Sequence, residues 1–586
     1  MLVLGLATMG TSAACLVRDG VLVAAIEEER LSRIKNDGAF PLRAIAECLR
    51  IGGATMAEVD AVAVYWRPWR VGGRIRGTLG KAIGSRAALA SLARRSRAAI
   101  RGGVDEGHPE AGGRWTDLFR VRRILSAAFG ACRAEIAFYD HHLTHQLYGE
   151  ALRGWPLCLS LSYDGGGETE STVLSLVRDG RRTELRRVAW PNSLGHFYSY
   201  FTGYLGFRML EGEYKMMGLA PYGAPALRDL LLEKVLRLGP EGTYRLDTRL
   251  ADYHRALEGD FEPEMAALVG PPRAPDEAPS EGHLVLAASV QAAFEAAQRH
   301  VLEWAKALHP EVERLVLSGG CALNVTANGR VLQSGFFAEI VAPPAPHDAG
   351  CAVGAALAHL AARGLPAPRD VASPYLGPAF GDEEIAAAFD AVGLPLPRRV
   401  GEAELVATAV ETLTRRGVVA WHQGRTEFGP RALGSRSILA DPRDDAIRED
   451  LNAKIKKREL FRPFAPSVIA EACSDYFEIG QPSPYMNILA VVRPSMRAAI
   501  PAVTHVDGTA RVHTVTAEAN PLYHRLISAF GERTGVPVLL NTSFNIQEPI
   551  VNTPAEAIAT FLRSDMDLLA IGGFVADRAW RARVGA

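Results

Sequence analysis

The hexapeptide Asp140-His141-His142-Leu143-Thr144-His145 follows a strand-like run, Glu135–Tyr139. If a helix starts there, His141 and His145 stand at i and i+4, on one face and within reach of one metal ion. Histidine pairs at this spacing also occur as surface or capping residues, so the spacing alone leaves both readings open. A third ligand would be a carboxylate, and two aspartates in glycine-rich turns are candidates, Asp164 in SYDGGGE and Asp348 in PHDAG. Two imidazoles with carboxylates suit a divalent transition ion, with iron first and zinc or manganese as alternatives.

A second chemistry is anion binding. Asp164-Gly165-Gly166-Gly167-Glu168 and Ser318-Gly319-Gly320-Cys321-Ala322-Leu323-Asn324 are turns whose backbone N–H groups can approach a phosphate closely. The second leads into a helix, whose dipole favours an anion. Either alone is usually just a turn; the two together point to a nucleotide held between lobes. Further on, Gly424–Arg443 reads GRTEFGPRALGSRSILADPR and Asn452–Pro466 reads NAKIKKRELFRPFAP. A solvated basic face is the plain alternative. Phe428, Pro430, Phe461, Pro463 and Phe464 argue against it, because cations fixed among such residues make a preorganised anion pocket. Arg511 in HVDGTARV and Ser543-Phe544-Asn545 in LLNTSFN offer further donors.

The elements that must carry these residues are those of α/β domains. Three strands open the chain, Met1–Leu6, Ser12–Val17 and Val21–Ile26, with Asp19-Gly20 as a tight hairpin turn. A helix is expected from Pro41, then strands at Val59–Tyr65, Glu135–Tyr139, Leu157–Tyr163 and Thr172–Val177. A long helix over about Leu284–Leu308 precedes the strand Arg314–Leu317. Residues Arg67 to Val104 carry ten basic and no acidic side chains. This stretch reads either as a solvated helical pair or as a lid that shapes the entrance to a site. Gly364–Gly377 is proline-rich and aperiodic, the best linker candidate, after which a helix (Glu383–Ala391) begins a second α/β domain. No repeat of 20–50 residues is visible.

At 586 residues the chain is too long for one core. Lysine plus arginine (65) balances aspartate plus glutamate (66), so no global field draws nucleic acid or an acidic membrane. The seven scattered cysteines lack metal-ligand spacing and fit reduced thiols. Ser12-Ala13-Ala14-Cys15 faintly matches a lipoprotein cleavage site, but the first positive side chain is Arg18, so the stretch reads as a strand. No apolar run approaches the ~18–20 residues of a membrane span. A cytoplasmic protein without nucleic-acid or membrane partners is expected.

The motifs, taken together, resemble the O-carbamoyltransferase family of tobramycin, cephamycin, ansamycin and nodulation-factor carbamoyltransferases. The matching stretches are LVRDGVLVAAIEEERLSRIKND, DHHLTH, SYDGGGE, EGEYKMMGLAPYG, LVLSGGCALNVTAN, HDAGCAVGAA, GRTEFGPRALGSRSILADPR, KKRELFRPFAP, HVDGTARV and PVLLNTSFN. They run in family order over nearly the whole chain. The resemblance implies two domains. Residues 1–368 are expected to form an actin/Hsp70-like, Kae1-like nucleotide-binding fold, and residues 369–586 a YrdC-like α/β domain. It implies that carbamoyl phosphate is cleaved in the second domain and that carbamate attacks ATP (with Mg2+) to give carbamoyl adenylate. A small-molecule hydroxyl acceptor then takes the carbamoyl group in the first domain. By motif, His141, His145, Asp164 and Asp348 resemble iron (Fe2+) ligands that also anchor the nucleotide. Gly165, Gly166, Lys215, Gly319, Gly320 and Asn324 would line the nucleotide site. Arg431, Lys456, Arg462, Arg511 and Ser543 resemble the carbamoyl phosphate pocket, with Asn545 beside it, and the first three are read as catalytic.

One departure stands out. Relatives carry a His-Asp pair in the first hairpin turn, where this chain has Met9-Gly10. Thr8, Thr11 and Ser12 are poor bases, and His142 is the nearest substitute the sequence offers. Two rival readings remain. A tRNA threonylcarbamoyl transferase-like enzyme would use the basic segment on phosphates, but the charge balance and the GPRALG and FRPFAP blocks oppose it. A non-enzymatic actin-like binding protein leaves the second basic pocket without purpose. The sequence names neither the acceptor nor an oligomeric state.

Overall fold

The opening strands β1 (Leu2–Ala7), β2 (Ala13–Arg18) and β3 (Val21–Glu27) form an antiparallel meander. Asp19 and Gly20 turn it with φ of 49° and 74°, the left-handed pair that a two-residue hairpin needs. The computed structural model describes residues 1–71 and 113–584. Beyond Val71, the basic segment Arg67–Arg101 lies outside the described residues. Two compact units divide between Ala372 and Ser373, inside the proline-rich stretch 364–377.

In the first unit, β4 (Ala61–Val64) and β5 (Glu135–Phe138) add in parallel to the meander, giving the order β3-β2-β1-β4-β5. Helix α1 (Leu42–Gly52) covers β2 and β3. The next strands are β6 (Leu157–Tyr163), β7 (Glu170–Arg178) and β8 (Arg181–Ala189), again an antiparallel meander. A small hairpin, β9 (Leu236–Leu238) and β10 (Tyr244–Leu246), follows. Then β11 (Arg314–Ser318) and β12 (Glu339–Val341) join β6 in parallel, giving β12-β11-β6-β7-β8. The second sheet therefore repeats the first, strand for strand and sense for sense. This duplicated meander-plus-crossover sheet is the actin/Hsp70-like arrangement.

Helices fill the crossovers. They are α2 (His141–Ala151), α3 (Leu194–Tyr204), α4 (Glu281–Leu308), α5 (Val325–Gln333) and α6 (Gly350–Ala362). Helix α6, GCAVGAALAHLAA, is buried from Gly350 to Leu360 and packs on both α2 and β1, as its small residues on every face demand. At Gly354 the two helix backbones meet: a Cβ there would fall 1.8 Å from the Thr144 carbonyl oxygen.

The second unit is a ten-stranded mixed sheet with helices on both faces. Its strands are β13 (Arg398–Arg399), β14 (Val419–His422), β15 (Arg436–Ala440), β16 (Ala465–Ile469) and β17 (Phe477–Glu478). They continue with β18 (Ile488–Val492), β19 (Thr509–Val515), β20 (Val538–Ser543), β21 (Leu568–Ile571) and β22 (Phe574–Asp577). The order is β13-β22-β21-β14-β15-β20-β16-β19-β18-β17. Only β14/β21 and β16/β19 pair in parallel, so the unit is less regularly wound than strand–helix alternation suggested. Period-two alternation splits its core. Val419, Trp421, Leu439, Leu568 and Ala570 face one layer, and Ala420, Ile438, Ala440, Leu569 and Ile571 the other. Both units are α/β.

All seven cysteines are free and buried. Among the described residues no helix is long and apolar enough to cross a membrane.

Candidate active site

In the first unit, the ends of β5, β6 and β12 converge. Asp140 caps α2 by accepting from Leu143 N–H, so His141 and His145 fall one turn apart on its buried face. Glu168 steadies the same helix start, its carboxylate accepting from the backbone N–H of His141 and of Arg67. His141 Nε2 and His145 Nε2 lie 3.1 and 3.2 Å from Asp164 Oδ2. Asp348 Oδ1 stands 3.9 and 3.6 Å from the same two nitrogens. One donor atom from each of the four residues lies within 4.8 Å of the others. The helix spacing that left a capping reading open therefore resolves into two rings turned toward two carboxylates.

The electrostatics are those of a site built for a cation. Burial, then His145, pushes His141 down to about 3. Burial also works against the protonated form of His145, but Cys351, Asp164 and Asp348 outweigh it and hold this ring well above its ordinary value. Asp164 resists its own burial and is held well below the carboxylate range by the two histidines. Asp348 is raised to about 6 by burial and by Asp164. Two buried imidazoles and two partly buried carboxylates fit a divalent transition ion.

The glycine turns serve this centre more directly than expected. The N–H groups of Gly165 and Gly320 both donate to Asp164 Oδ1, at 2.7 and 3.2 Å, and Gly319 N–H donates to the Pro346 carbonyl. These three amides fix Asp164 and its neighbour loop. Asn324 is likewise committed. Its side-chain oxygen caps α5 through Ala327 N–H and accepts from Gln291, to which its amide donates in return. Lys215 sits on the helix Glu213–Leu219 with its ammonium 5.9 Å from the Phe207 ring centroid. The departure at Met9-Gly10 has a structural counterpart: a Cβ on Gly10 would lie 2.0 Å from Asp348 Oδ2, so here the backbone itself closes against that carboxylate.

His142 is not the substitute base. Its ring is fully buried, with Nδ1 2.8 Å from Ser162 Oγ and Nε2 3.1 Å from the Glu170 carbonyl. Nε2 donates to that carbonyl and Nδ1 accepts the serine hydroxyl, which leaves no nitrogen to take a proton from a substrate. Burial, then His145, also lowers its basicity. It is a core histidine that ties α2 to β6 and β7.

In the second unit, the structure sorts the arginines of the basic blocks. Arg425 brackets the carbonyls of Leu376 and Gly377. Arg436, fully buried, donates to the carbonyls of Gln423, Gly424, Pro378 and Asn552, and Arg443 pairs with Asp441. These three are structural. Arg431, Arg458 and Arg462 instead gather around Arg511, whose basicity burial and those three positive neighbours push well below the usual guanidinium range. Arg511 Nε is buried without a hydrogen-bond partner among the described residues. Arg458, which sequence reasoning passed over, stacks on Phe464 at 4.6 Å and donates to Asn452. Its signal lies in KKRELFRPFAP, a block that holds two arginines.

Lys456 is joined to Ser543 and Asn545, the two residues at and just past the end of β20 expected beside it. It is buried at the end of a π-helical turn, Leu451–Ile455, a geometry common at functional sites. Its ammonium donates to the carbonyls of Ser543 and Asn545, to Asn545 Oδ1 at 2.6 Å and to Ser543 Oγ. Ser543 Oγ in turn donates to Asn545 Oδ1. Lysine, serine and asparagine thus form a knot that shapes the loop after β20.

Two chemistries therefore lie on one chain, a two-histidine, two-carboxylate centre in unit 1 and a guanidinium cluster in unit 2. Residues 2–357 match the family description "Carbamoyltransferase N-terminus", and residues 410–578 match "Carbamoyltransferase C-terminus". The chain belongs to the carbamoyltransferase family. The carbamoyltransferase is 39% identical over 605 residues to an uncharacterized Synechocystis protein, sll1178, covering 96% of this chain and 94% of that protein. It is 39% identical to the nodulation protein NolNO of Sinorhizobium fredii, over 97% of this chain and 79% of that protein. It is 32% identical to a 3'-hydroxymethylcephem-O-carbamoyltransferase of Amycolatopsis lactamdurans, over 65% of this chain and 69% of that protein. As an enzyme of this family it moves a carbamoyl group from a donor to an acceptor.

Proposed function

We propose that this carbamoyltransferase converts carbamoyl phosphate and ATP to carbamoyl adenylate and passes the carbamoyl group to a hydroxyl of a small molecule. The observation that carries the reading is the gathering of Arg431, Arg458, Arg462 and Arg511 in unit 2. Four guanidiniums gathered in one place, with Arg511 Nε buried and unpartnered among the described residues, suit a multiply charged anion. Carbamoyl phosphate, with about two negative charges near pH 7 by analogy with phosphate monoesters, is such an anion.

In this reading carbamoyl phosphate and water give carbamate and phosphate, the arginines neutralising the charge that builds on the departing phosphate. A carbamate oxygen attacks the α-phosphorus of ATP and pyrophosphate leaves. The acceptor hydroxyl oxygen then attacks the carbamoyl carbon, AMP departs with the bonding pair, and the hydroxyl proton is released. Ser543 lines the pocket, while Lys456 and Asn545 act as positioning residues through the knot they form with it. In unit 1, His141, His145, Asp164 and Asp348 would hold a divalent ion, for which Fe2+ is proposed, with Gly166 and Lys215 toward the nucleotide. Such an ion, when bound, supplies fixed positive charge beside phosphate oxygens. The cephem relative's name, which specifies a hydroxymethyl group, supports an alcohol as acceptor. Seven free thiols support a reducing, cytoplasmic setting.

The test is incubation with ATP, Mg2+, Fe2+, carbamoyl phosphate and a panel of sugar-bearing and macrocyclic alcohols. Pyrophosphate release should depend on carbamoyl phosphate, and one alcohol should appear by mass spectrometry as its carbamate. Pyrophosphate release indifferent to carbamoyl phosphate overturns the reading.

A further inference from the structure

A second group of ligand-type side chains draws together in unit 1, and it shares no residue with the histidine centre. Asp140, Glu168 and Glu170 each bring one carboxylate oxygen within 4.8 Å of the other two. Three elements place them. Asp140 caps α2, Glu168 closes the glycine turn after β6, and Glu170 is the first residue of β7. Glu168 and Glu170 are 0% and 4% exposed, so water does little to screen the charge that gathers here.

The partners these carboxylates find leave part of the cluster unmatched. Asp140 accepts from Leu143 N–H and pairs with Arg70 at 3.0 Å. Glu168 accepts from backbone N–H groups, those of Arg67 and His141, and no cationic side chain pairs with it among the described residues. Glu170 Oε1 takes the Arg187 guanidinium and the Thr169 hydroxyl. Its other oxygen, Oε2, is buried without a hydrogen-bond partner among the described residues. The two arginines lie on the solvent side, their side chains 40% and 37% exposed. A buried carboxylate oxygen left bare is costly, and such an atom points to an ion that would meet it.

We infer that Asp140, Glu168 and Glu170 form a second cation site that takes a hard divalent ion such as Mg2+, Mn2+ or Ca2+. An oxygen-only ligand set selects these ions over zinc or copper. Metal–oxygen bonds of about 2.0–2.6 Å put ligands on opposite sides of one ion roughly 4–5 Å apart. The three oxygens therefore fit a single ion, with water completing its shell. The ion joins the first turn of α2 to the loop between β6 and β7, and so braces the two segments that carry His141 and Asp164. The inference needs neither the carbamoyl phosphate reading nor an ion at the histidines.

Manganese(II) tests this on the full-length protein. One equivalent of Zn2+ is added first to fill the histidine pair, whose imidazoles suit it. Mn2+ is then titrated, with electron paramagnetic resonance of the free ion as the readout. One Mn2+ per chain should bind, and excess Mg2+ should displace it. Glu170→Gln and Glu168→Gln should each weaken Mn2+ binding roughly tenfold or more, with zinc content unchanged. His145→Ala should lose the zinc and keep the manganese. Zinc-loaded protein that binds no Mn2+, or unaltered affinity in both glutamine variants, overturns the site. Electron spin echo modulation of Mn2+ bound to the unaltered protein needs no variant to fold. An oxygen-only shell is expected there; modulation from a directly bound imidazole nitrogen puts the ion in the histidine centre and overturns the proposal. Carbamoyl transfer enters none of these readouts, so a failed reaction and a failed cation site stay distinguishable.

Discussion

Arginines from one short motif do opposite jobs, and the difference lies in what each guanidinium finds. Arg436 finds five backbone carbonyls and is consumed by them; Arg431, Arg458 and Arg462 lie around Arg511. Arg458→Gln should therefore raise the KM for carbamoyl phosphate roughly tenfold to a hundredfold. That is the loss of one charge-assisted hydrogen bond of about 1.5–3 kcal/mol, and the urea midpoint should stay nearly unchanged. Arg436→Gln should do the reverse, lowering the urea midpoint by leaving buried carbonyls unpaired. Equal KM effects from the two would show that the structural sorting is wrong. His142 belongs with Arg436. His142→Ala should cost about 1–3 kcal/mol of stability for the stranded Ser162 and Glu170 partners, with the shape of the pH–rate profile preserved. Loss of one limb of that profile would restore His142 as a base. At this scale the sequence exposed the residue types: DHHLTH, DGGGE and HDAG announce donors by spacing. It did not expose whether a donor is already satisfied, because hydrogen bonds to carbonyls of distant segments leave no trace in local sequence. Lys456 and Asn324 looked free for the same reason.

Helix α1 illustrates what elements need from one another. It begins after Pro41 with no cap of its own. Two orphan N–H groups of its first turn, those of Arg43 and Ala44, donate to Glu28, a residue just beyond β3. Burial wins over those two bonds and raises the Glu28 carboxyl to about 7. A folded value above the unfolded value of 4.5 means that Glu28 favours the folded state fully below about pH 4.5. That contribution is lost as pH rises toward and past 7. The difference is worth about 3 kcal/mol. The unfolding free energy of the natural protein relative to Glu28→Gln should accordingly fall by about this amount between pH 4.5 and about 8, by urea denaturation. A flat or rising difference would mean that Glu28 is ionised in the fold. Elements with one apolar face were legible: β1, β2, β3, β6 and α4 fall within a few residues of their hydrophobic patterns. β8, RRTELRRVA, was not. An edge strand needs no apolar run and is protected by charge, so its sequence reads as a loop. Nor was the duplication of the two five-stranded sheets visible, since topology can repeat where side chains do not.

Over the whole molecule, the two units carry different demands on charge, and this makes the activity separable. Unit 1 arranges carboxylates and imidazoles, suited to a cation; unit 2 arranges guanidiniums, suited to an anion. A defect in either unit should stop the overall reaction at a different step. Arg511→Met removes the central guanidinium and should abolish pyrophosphate release from ATP with carbamoyl phosphate. Preformed carbamoyl adenylate should bypass that defect and restore formation of the carbamate ester. His145→Ala should give no ester from either starting point, because it strikes the centre in the unit assigned to transfer. The measurement is ester formation by mass spectrometry with each variant, fed first carbamoyl phosphate and ATP, then the adenylate. If the adenylate fails to rescue Arg511→Met while that variant remains folded by circular dichroism, the guanidinium cluster acts in transfer itself. The assignment of one step to each unit would then fall. If His145→Ala is rescued instead, the histidine centre belongs to adenylate formation, and the order of the two chemistries along the chain is reversed.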